Sequence, residues 1–264
     1  MSGEGFLQGK RILVTRAKEQ ASSLSKKIKE HEGYPIEIPL IKFQAPANIE
    51  VVEKTLKNLA SYDWVVLTST NGVNYFFSYF EQFNIRLPET NRPQIAVVGK
   101  KTYQALENKG IKANLVPEAY VAESLFEEMK AVVRPNDKVL LARGNLARTF
   151  LLEQLKDLGI KTDDLVIYET VINKEEQTNL LKLLKNNLID IITFTSSSTV
   201  TYFLDLLNGT DWKEYIKDIT FACIGPITEN TALKAGIKPQ IVATDYTIDG
   251  LVTAITKYLN KGES

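Results

Sequence analysis

The chain has 264 residues, 44% hydrophobic and 24% charged, with 32 basic side chains against 32 acidic ones. That length suits two domains of moderate size, the composition excludes disorder over the bulk of the chain, and a net charge of zero removes the general attraction to phosphate backbones on which nucleic-acid binding relies. A single cysteine, Cys223, and a single histidine, His31, exclude a disulfide framework and a Cys/His zinc cluster within one chain.

The first ten residues carry Glu4 and Gln8 and show no basic segment leading into an apolar one, so no signal peptide is expected. No apolar run approaches the roughly 18 residues of a membrane span, and a reducing cytoplasm is the expected location. Onward from there, short β-branched runs alternate with amphipathic stretches. Strands are predicted at residues 11–15, 64–67, 95–98, 139–142, 164–171, 191–194 and 221–224, most of them followed by a helical pattern. This alternation predicts an α/β fold with parallel sheets. Helix ends are expected at Gly33, Gly110, Gly159 and Gly236, where a left-handed residue closes the last turn. Two extended segments, residues 35–46 and 164–173, are the candidate linkers between lobes.

An internal repeat organises these elements. Asp63-Trp-Val-Val-Leu-Thr-Ser69 with Val73, Tyr75 and Phe76 is echoed by Asp190-Ile-Ile-Thr-Phe-Thr-Ser196 with Val200, Tyr202 and Phe203, an offset of 127 from Asp63 to Asp190. Gly99, Thr102, Leu106, Gly110 and Ile111 are echoed by Gly225, Thr228, Leu233, Gly236 and Ile237, at an offset of 126 from Gly99 to Gly225. Tyr120, Glu123 and Leu125 continue into Tyr246, Asp249 and Leu251, and the strand ending at Arg16 matches the one ending at Arg143. Single apolar strands match often in buried sheets, but three segments sharing one offset to within a residue predict two similar modules.

In such sheets ligands bind beyond the carboxyl ends of the strands, at helix N-termini. The repeated turns fall there, as Thr68-Ser69-Thr70-Asn71 and Thr195-Ser196-Ser197-Ser198-Thr199. These hydroxyls serve either to cap helices or to hold a ligand. Gly99 and Gly225 let backbone approach closely, with Thr102 and Thr228 in the first turn after them. Neither has G-x-G-x-x-G spacing, and Gln94 stands where the first glycine of a P-loop belongs, so a nucleotide is not supported while a small anion or carboxylate is. Arg16 and Arg143, at equivalent strand ends, either pair with that anion or cover apolar surface as solvated side chains.

His31 ends a Lys/Glu-rich helix and is read as solvated; Cys223 lies in an apolar strand and is read as a small core residue. A hydrolytic or glutaminase-like enzyme therefore lacks its nucleophile and base. Asp163 and Asp164 are read as solvated turn residues. Tyr168 has Ile41 as its repeat equivalent, an asymmetry that leaves either packing or proton donation to a leaving group open to it.

Taken in order, Val14-Thr15-Arg16, Asp63 with Thr68 to Val73, Val98-Gly99 with Thr102, Ala122-Glu123-Ser124-Leu125, Ile167-Tyr168, Phe194-Thr195-Ser196, and Ile224-Gly225-Pro226 with Thr228 resemble the uroporphyrinogen-III synthase family over nearly the whole chain. The resemblance implies two similar parallel-sheet lobes joined by a two-stranded connection with the active cleft between them, residues 1–34 and 173–264 in one lobe and 35–172 in the other. It also implies a monomeric hydro-lyase without cofactor or metal, with no membrane or nucleic-acid partner. Its substrate would be hydroxymethylbilane, a linear tetrapyrrole with eight carboxylates, which is cyclised with inversion of the last ring through a spiro intermediate. By the same resemblance Tyr168 assists departure of the terminal hydroxyl, and Thr228, Ser196, Ser197, Thr102 and Ser69 position carboxylates; Asn71, Gly99, Gly225, Arg16 and Arg143 complete the expected binding set. A two-lobed small-anion binding protein without catalysis is the alternative, in which Tyr168 is dispensable.

Overall fold

The computed structural model of the protein describes residue 7 and residues 9–88, 90–119 and 121–261; Tyr120, one member of the repeat, lies outside them. In chain order the elements are β1 (Arg11–Val14), α1 (Lys18–Glu30), β2 (Tyr34–Glu37), β3 (Ile41–Gln44), α2 (Ile49–Lys57), β4 (Trp64–Leu67), α3 (Thr70–Gln82), β5 (Gln94–Val97) and α4 (Lys100–Glu107). They continue as α5 (Ala122–Val132), β6 (Lys138–Gly144), α6 (Phe150–Asp157), β7 (Lys161–Ile172), α7 (Gln177–Lys185) and β8 (Ile191–Phe194). The last are α8 (Ser197–Leu207), α9 (Trp212–Tyr215), β9 (Thr220–Cys223), α10 (Pro226–Lys234), β10 (Ile241–Val242) and α11 (Ile248–Lys261).

Two α/β units result. The first takes the chain up to Lys42 and again from Val171, and the second is Phe43–Thr170. The chain leaves the first unit after Lys42 rather than after residue 34, because Tyr34 to Glu37 pair in parallel with β1 and belong to its sheet. The first sheet runs β10-β9-β8-β1-β2, with every pairing parallel. The second runs β3-β7-β6-β4-β5, parallel from β7 to β5. β3 and β7, which carry the chain across, are neighbours in it.

The apolar runs are continuous because both faces of each sheet are covered. In the second unit Val65 and Leu67 pack on α2, α3 and α4 through Leu56, Phe76 and Leu106, while Trp64 and Val66 pack on α5 and α6 through Leu125, Met129 and Leu155. The first unit repeats this: Ile192 and Phe194 meet Leu184, Phe203 and Ala232 on one face, and Ile12, Val14 and Ala222 meet Leu24 and Leu251 on the other. Burial of this kind stabilises at roughly 25 cal/mol per Å² of apolar surface and is the main force holding each unit together.

The sequence repeat is a structural one. β7-β6-β4-β5 occupies the places of β2-β1-β8-β9, and even the lone parallel bridge between Ala96 and Leu115 matches the pairing of Ala222 with Ile241. The repeated aspartates explain themselves at the opposite, N-terminal ends of the strands: Asp63 Oδ2 accepts from the Lys138 N–H (2.8 Å) and Asp190 Oδ2 from the Arg11 N–H (2.7 Å). Beside them the Ile95 N–H donates to Asn114 Oδ1 (2.9 Å) and its counterpart, the Phe221 N–H, to Gln240 Oε1 (2.7 Å). These side chains tie strand starts together, which is why the motif begins with Asp.

Gly110, Gly159 and Gly236 have the expected positive φ, but at the end of α1 the left-handed residue is Glu32 (φ 63°). Gly33 is needed for space instead: a Cβ there would lie 2.8 Å from Ile28 Cγ2 and 3.0 Å from Leu7.

Candidate active site

Ser69 and Ser196 occupy the same place in the two units. Both are extended N-cap residues, with Ser69 Oγ accepting from the Gly72 N–H (2.9 Å) and Ser196 Oγ from the Thr199 N–H (3.3 Å). Capping is thus real at both turns. In the second unit the hydroxyl does more, since Tyr168 Oη lies 3.1 Å from Ser69 Oγ at the carboxyl end of β4.

Several features aim Tyr168. The pairing of β6 with β7 shifts register between Arg143 and Gly144, so that Gly144 stands opposite Tyr168. A Cβ on Gly144 would lie 2.5 Å from the tyrosine ring, so only glycine lets the ring pass over β6. Tyr75 stacks on Tyr168 at 5.4 Å, and Phe43 meets it edge-on at 5.8 Å. Behind it, Tyr79 Oη donates to the Ile167 carbonyl (2.8 Å) from a buried position, and burial raises that phenol to about 12. Asn145 then extends the ladder past the end of β6, its Oδ1 accepting from the Thr170 N–H (2.8 Å) and its own N–H donating to the Tyr168 carbonyl (3.2 Å). Tyr168 is largely buried, yet its hydroxyl end reaches the N-terminus of α3.

The two glycines before α4 and α10 serve different needs. Gly99 takes a left-handed φ of 95°, whereas Gly225 is extended and makes room for the Tyr246 ring, 2.9 Å from where its Cβ would be. Thr102 and Thr228 are buried in the first turns that follow, and neither hydroxyl makes a hydrogen bond among the described residues. Asn71 is likewise free of side-chain hydrogen bonds among the described residues. Ser197 is committed: its hydroxyl donates to the Ile227 carbonyl (3.3 Å) and accepts from Thr231 (2.8 Å), joining α8 to α10. Ile227 and Tyr246 project apolar surface beside this helix start.

The two arginines part company. Arg143 is neither a solvated side chain nor a free anion ligand: its guanidinium forks to Asp164 with both contacts at 2.6 Å and donates to the Ala147 carbonyl at 3.0 Å. Asp164 is therefore a structural partner rather than a solvated turn residue. Asp163 is half-exposed, as a solvated residue, yet also bonded: it accepts from Tyr62 Oη (2.6 Å) and pairs with Lys138 (2.9 Å), contacts that hold its carboxyl below the usual carboxylate range. In the first unit Glu37 stands at the position of Asp164 but is taken by the Ser25 hydroxyl. Among the described residues Arg16 makes one long side-chain contact, to Gln20 (3.4 Å), and its buried Nε has no partner. Burial pulls its pKa down, and an anion bound there would reverse that.

Cys223 is fully buried in β9, and burial pushes its thiol up to about 12, which suits no nucleophile. His31 closes α1 with Nδ1 3.0 Å from the Lys27 carbonyl, away from the strand carboxyl ends. Sequence reasoning missed Gly144, Asn145 and Tyr79 around Tyr168, because the register shift they support has no local signature beyond a glycine ending a strand.

Fold and site together define a duplicated parallel α/β protein that presents hydroxyl groups and helix N-termini at strand carboxyl ends, with Arg16 there in no ion pair among the described residues. The sequence profile described as uroporphyrinogen-III synthase HemD matches residues 22–253. A uroporphyrinogen-III synthase of Synechococcus elongatus is 30% identical over 262 residues, 96% of each chain, and the porphyrin biosynthesis protein HemD of Ruminiclostridium josui is 29% identical over 93% of this chain but only 48% of its own length. Among solved structures, uroporphyrinogen III synthases of Thermus thermophilus (TM-score 0.62, 16% identity, 96% and 99% of the two chains) and Helicobacter pylori (TM-score 0.53, 18% identity, 97% and 99%) share the fold. The chain belongs to the uroporphyrinogen-III synthase family, whose work is porphyrin biosynthesis, and a two-lobed binding protein without catalysis is set aside.

Proposed function

We propose that the protein is a hydro-lyase that cyclises hydroxymethylbilane with inversion of its last pyrrole ring, as a cytoplasmic monomer without a cofactor. The terminal hydroxyl leaves as water after gaining a proton, giving an azafulvene cation. Attack from the substituted position of the last ring forms the spiro intermediate; one carbon–carbon bond of that centre then breaks and reforms at the free position, and loss of a proton restores the ring. Protons taken up and released balance.

Tyr168 is the donor in this reading. Its phenol is held by two aromatic rings and hydrogen-bonded to Ser69 at a helix N-terminus, and it gives its proton to the departing hydroxyl. Thr228, Ser196, Thr102, Ser69 and Asn71, the helix starts at Gly99 and Gly225, and Arg16 bind carboxylates; Ser197 acts by joining α8 to α10. Much of the rate comes from positioning, since the unassisted reaction closes without inversion.

The observation that carries the proposal is the Tyr168–Ser69 contact, which the repeat lacks in the other unit. The test is incubation of the purified protein with freshly generated hydroxymethylbilane, without added metal or cofactor, followed by separation of the oxidised porphyrins. Dominant inverted isomer is expected; uninverted product alone would overturn the reading.

A further inference from the structure

The motif around Glu123 is not used by the site described above. Glu123 lies in the first turn of α5, and its carboxylate takes both arms of the Arg148 guanidinium, at 2.7 and 3.2 Å. Arg148 lines a cavity of about 410 Å³ in the second unit, together with Thr68, Val98, Val121, Ala122, Leu146 and Arg143 among others. Thr68 follows β4, Val98 follows β5 and Leu146 follows β6, three neighbouring strands, so the cavity sits at the carboxyl end of the sheet, where parallel α/β proteins bind ligands.

The lining is of two kinds. Val121 and Leu146, 44% and 62% exposed, flank the one cavity, and Val98 adds a further apolar wall. Against them stand two guanidinium groups, of which that of Arg143 is committed to Asp164 and that of Arg148 is exposed. Apolar walls with one exposed guanidinium fit a flat ring that bears a carboxylate. Both members of the ion pair are largely exposed, with 67% and 48% of their side chains accessible, and such pairs contribute little to stability. Glu123 can therefore swing away at small cost while another carboxylate takes its place on Arg148, beside the favourable dipole of α5.

We infer that this cavity is a substrate subsite, in which Arg148 binds the carboxylate arm of one pyrrole ring, Val121 and Leu146 cover the ring face, and Glu123 holds the guanidinium in place while the subsite is empty. The inference rests on the proposed function and deepens it by assigning one pyrrole ring to the second unit. Glu123 and Arg148 differ in role even though they touch, and that separates a subsite from a structural ion pair.

The test compares KM and kcat for hydroxymethylbilane, with the isomer ratio, in the full-length protein and in Arg148→Gln, Arg148→Lys and Glu123→Gln. Arg148→Gln is expected to raise KM about tenfold with kcat within about twofold, and Arg148→Lys to fall between, since ammonium offers charge without the fork. Glu123→Gln is expected to lower KM about twofold, because the competing carboxylate is gone. A structural pair predicts instead that Arg148→Gln and Glu123→Gln behave alike, and that result, or a KM unchanged in Arg148→Gln, would overturn the subsite. If the unmodified protein yields only uninverted product, the proposed function itself fails and the subsite falls with it; if it yields inverted product and Arg148→Gln is silent, the subsite alone fails.

Discussion

The Tyr168 hydroxyl lies 3.1 Å from Ser69 Oγ, while the equivalent Ser196 Oγ, besides its cap contact to the Thr199 N–H, meets the hydroxyl of Ser198 at 2.9 Å and no tyrosine among the described residues. The two serines cap equivalent helices, so the difference comes from what β7 brings over the sheet. Tyr168→Phe should keep the ring stack and lose only the hydroxyl. We expect kcat to fall by about 100-fold, the lower end of what general acid catalysis contributes, with the melting temperature within a few degrees of the parent. A variant with full turnover would remove the tyrosine from the chemistry.

Gly144→Ala would put a methyl group within 2.5 Å of the Tyr168 ring. Overpacking of this kind costs about 1–3 kcal/mol, and the ring must move to relieve it. Chemical denaturation should therefore show that loss, and turnover should fall further than the stability change explains. Gly99→Ala, by contrast, meets its nearest neighbour at 3.6 Å and is strained only by its φ of 95°, so a cost of about 1–2 kcal/mol is expected.

The unequal arginines predict opposite defects. Arg143→Gln leaves Asp164 and the Ala147 carbonyl without their donors in a mostly buried site, and a loss of about 3 kcal/mol is expected from urea unfolding. Arg16→Gln removes a guanidinium that holds the fold by no ion pair among the described residues. Its stability should stay within about 0.5 kcal/mol of the parent, while KM for the tetrapyrrole rises several-fold. Equal effects on stability would show that the two positions are not so different.

Acid sensitivity follows from the strand-start carboxylates. Arg11 holds the Asp190 carboxyl below its ordinary value, chiefly through the side-chain hydrogen bonds, and Tyr62 and Lys138 do the same for Asp163. A carboxyl with a lowered folded pKa adds stability that is complete above its unfolded value and lost as pH falls through the folded one. Thermal melts should thus weaken below about pH 4. The gap in melting temperature between the parent and Asp190→Asn should be open at pH 7 and should narrow towards pH 2.

Cys223 should resist alkylation. With its thiol near 12, only about one molecule in 10⁴ holds a thiolate at pH 8, and the side chain is sealed in the core besides. A thiol reagent such as DTNB should stay unreacted with the native protein for hours and react at once in denaturant. Rapid labelling of the native state would contradict the packing of β9.

Much of this protein was legible in its sequence. Runs such as Val65-Val66-Leu67 and Ile191-Ile192 can be buried on both faces only in a covered parallel sheet, and an offset of 126 to 127 residues carries through to strand places, helix starts and the aspartates at the strand beginnings. Those are local or periodic properties, set by burial and hydrogen bonding that each module satisfies within itself. Other features depend on partners far apart in the chain. Pro35 to Glu37 fall at the start of the candidate linker, yet with Tyr34 they form a strand because they pair with β1 as its edge partner. Arg16 and Arg143 read alike; only the packed structure shows that Asp164 neutralises Arg143 while Glu37, at the equivalent place in the first unit, bonds the Ser25 hydroxyl. The aim of Tyr168 depends on a register shift, a missing Cβ and two rings from other elements, and no spacing along the chain encodes a meeting of that kind.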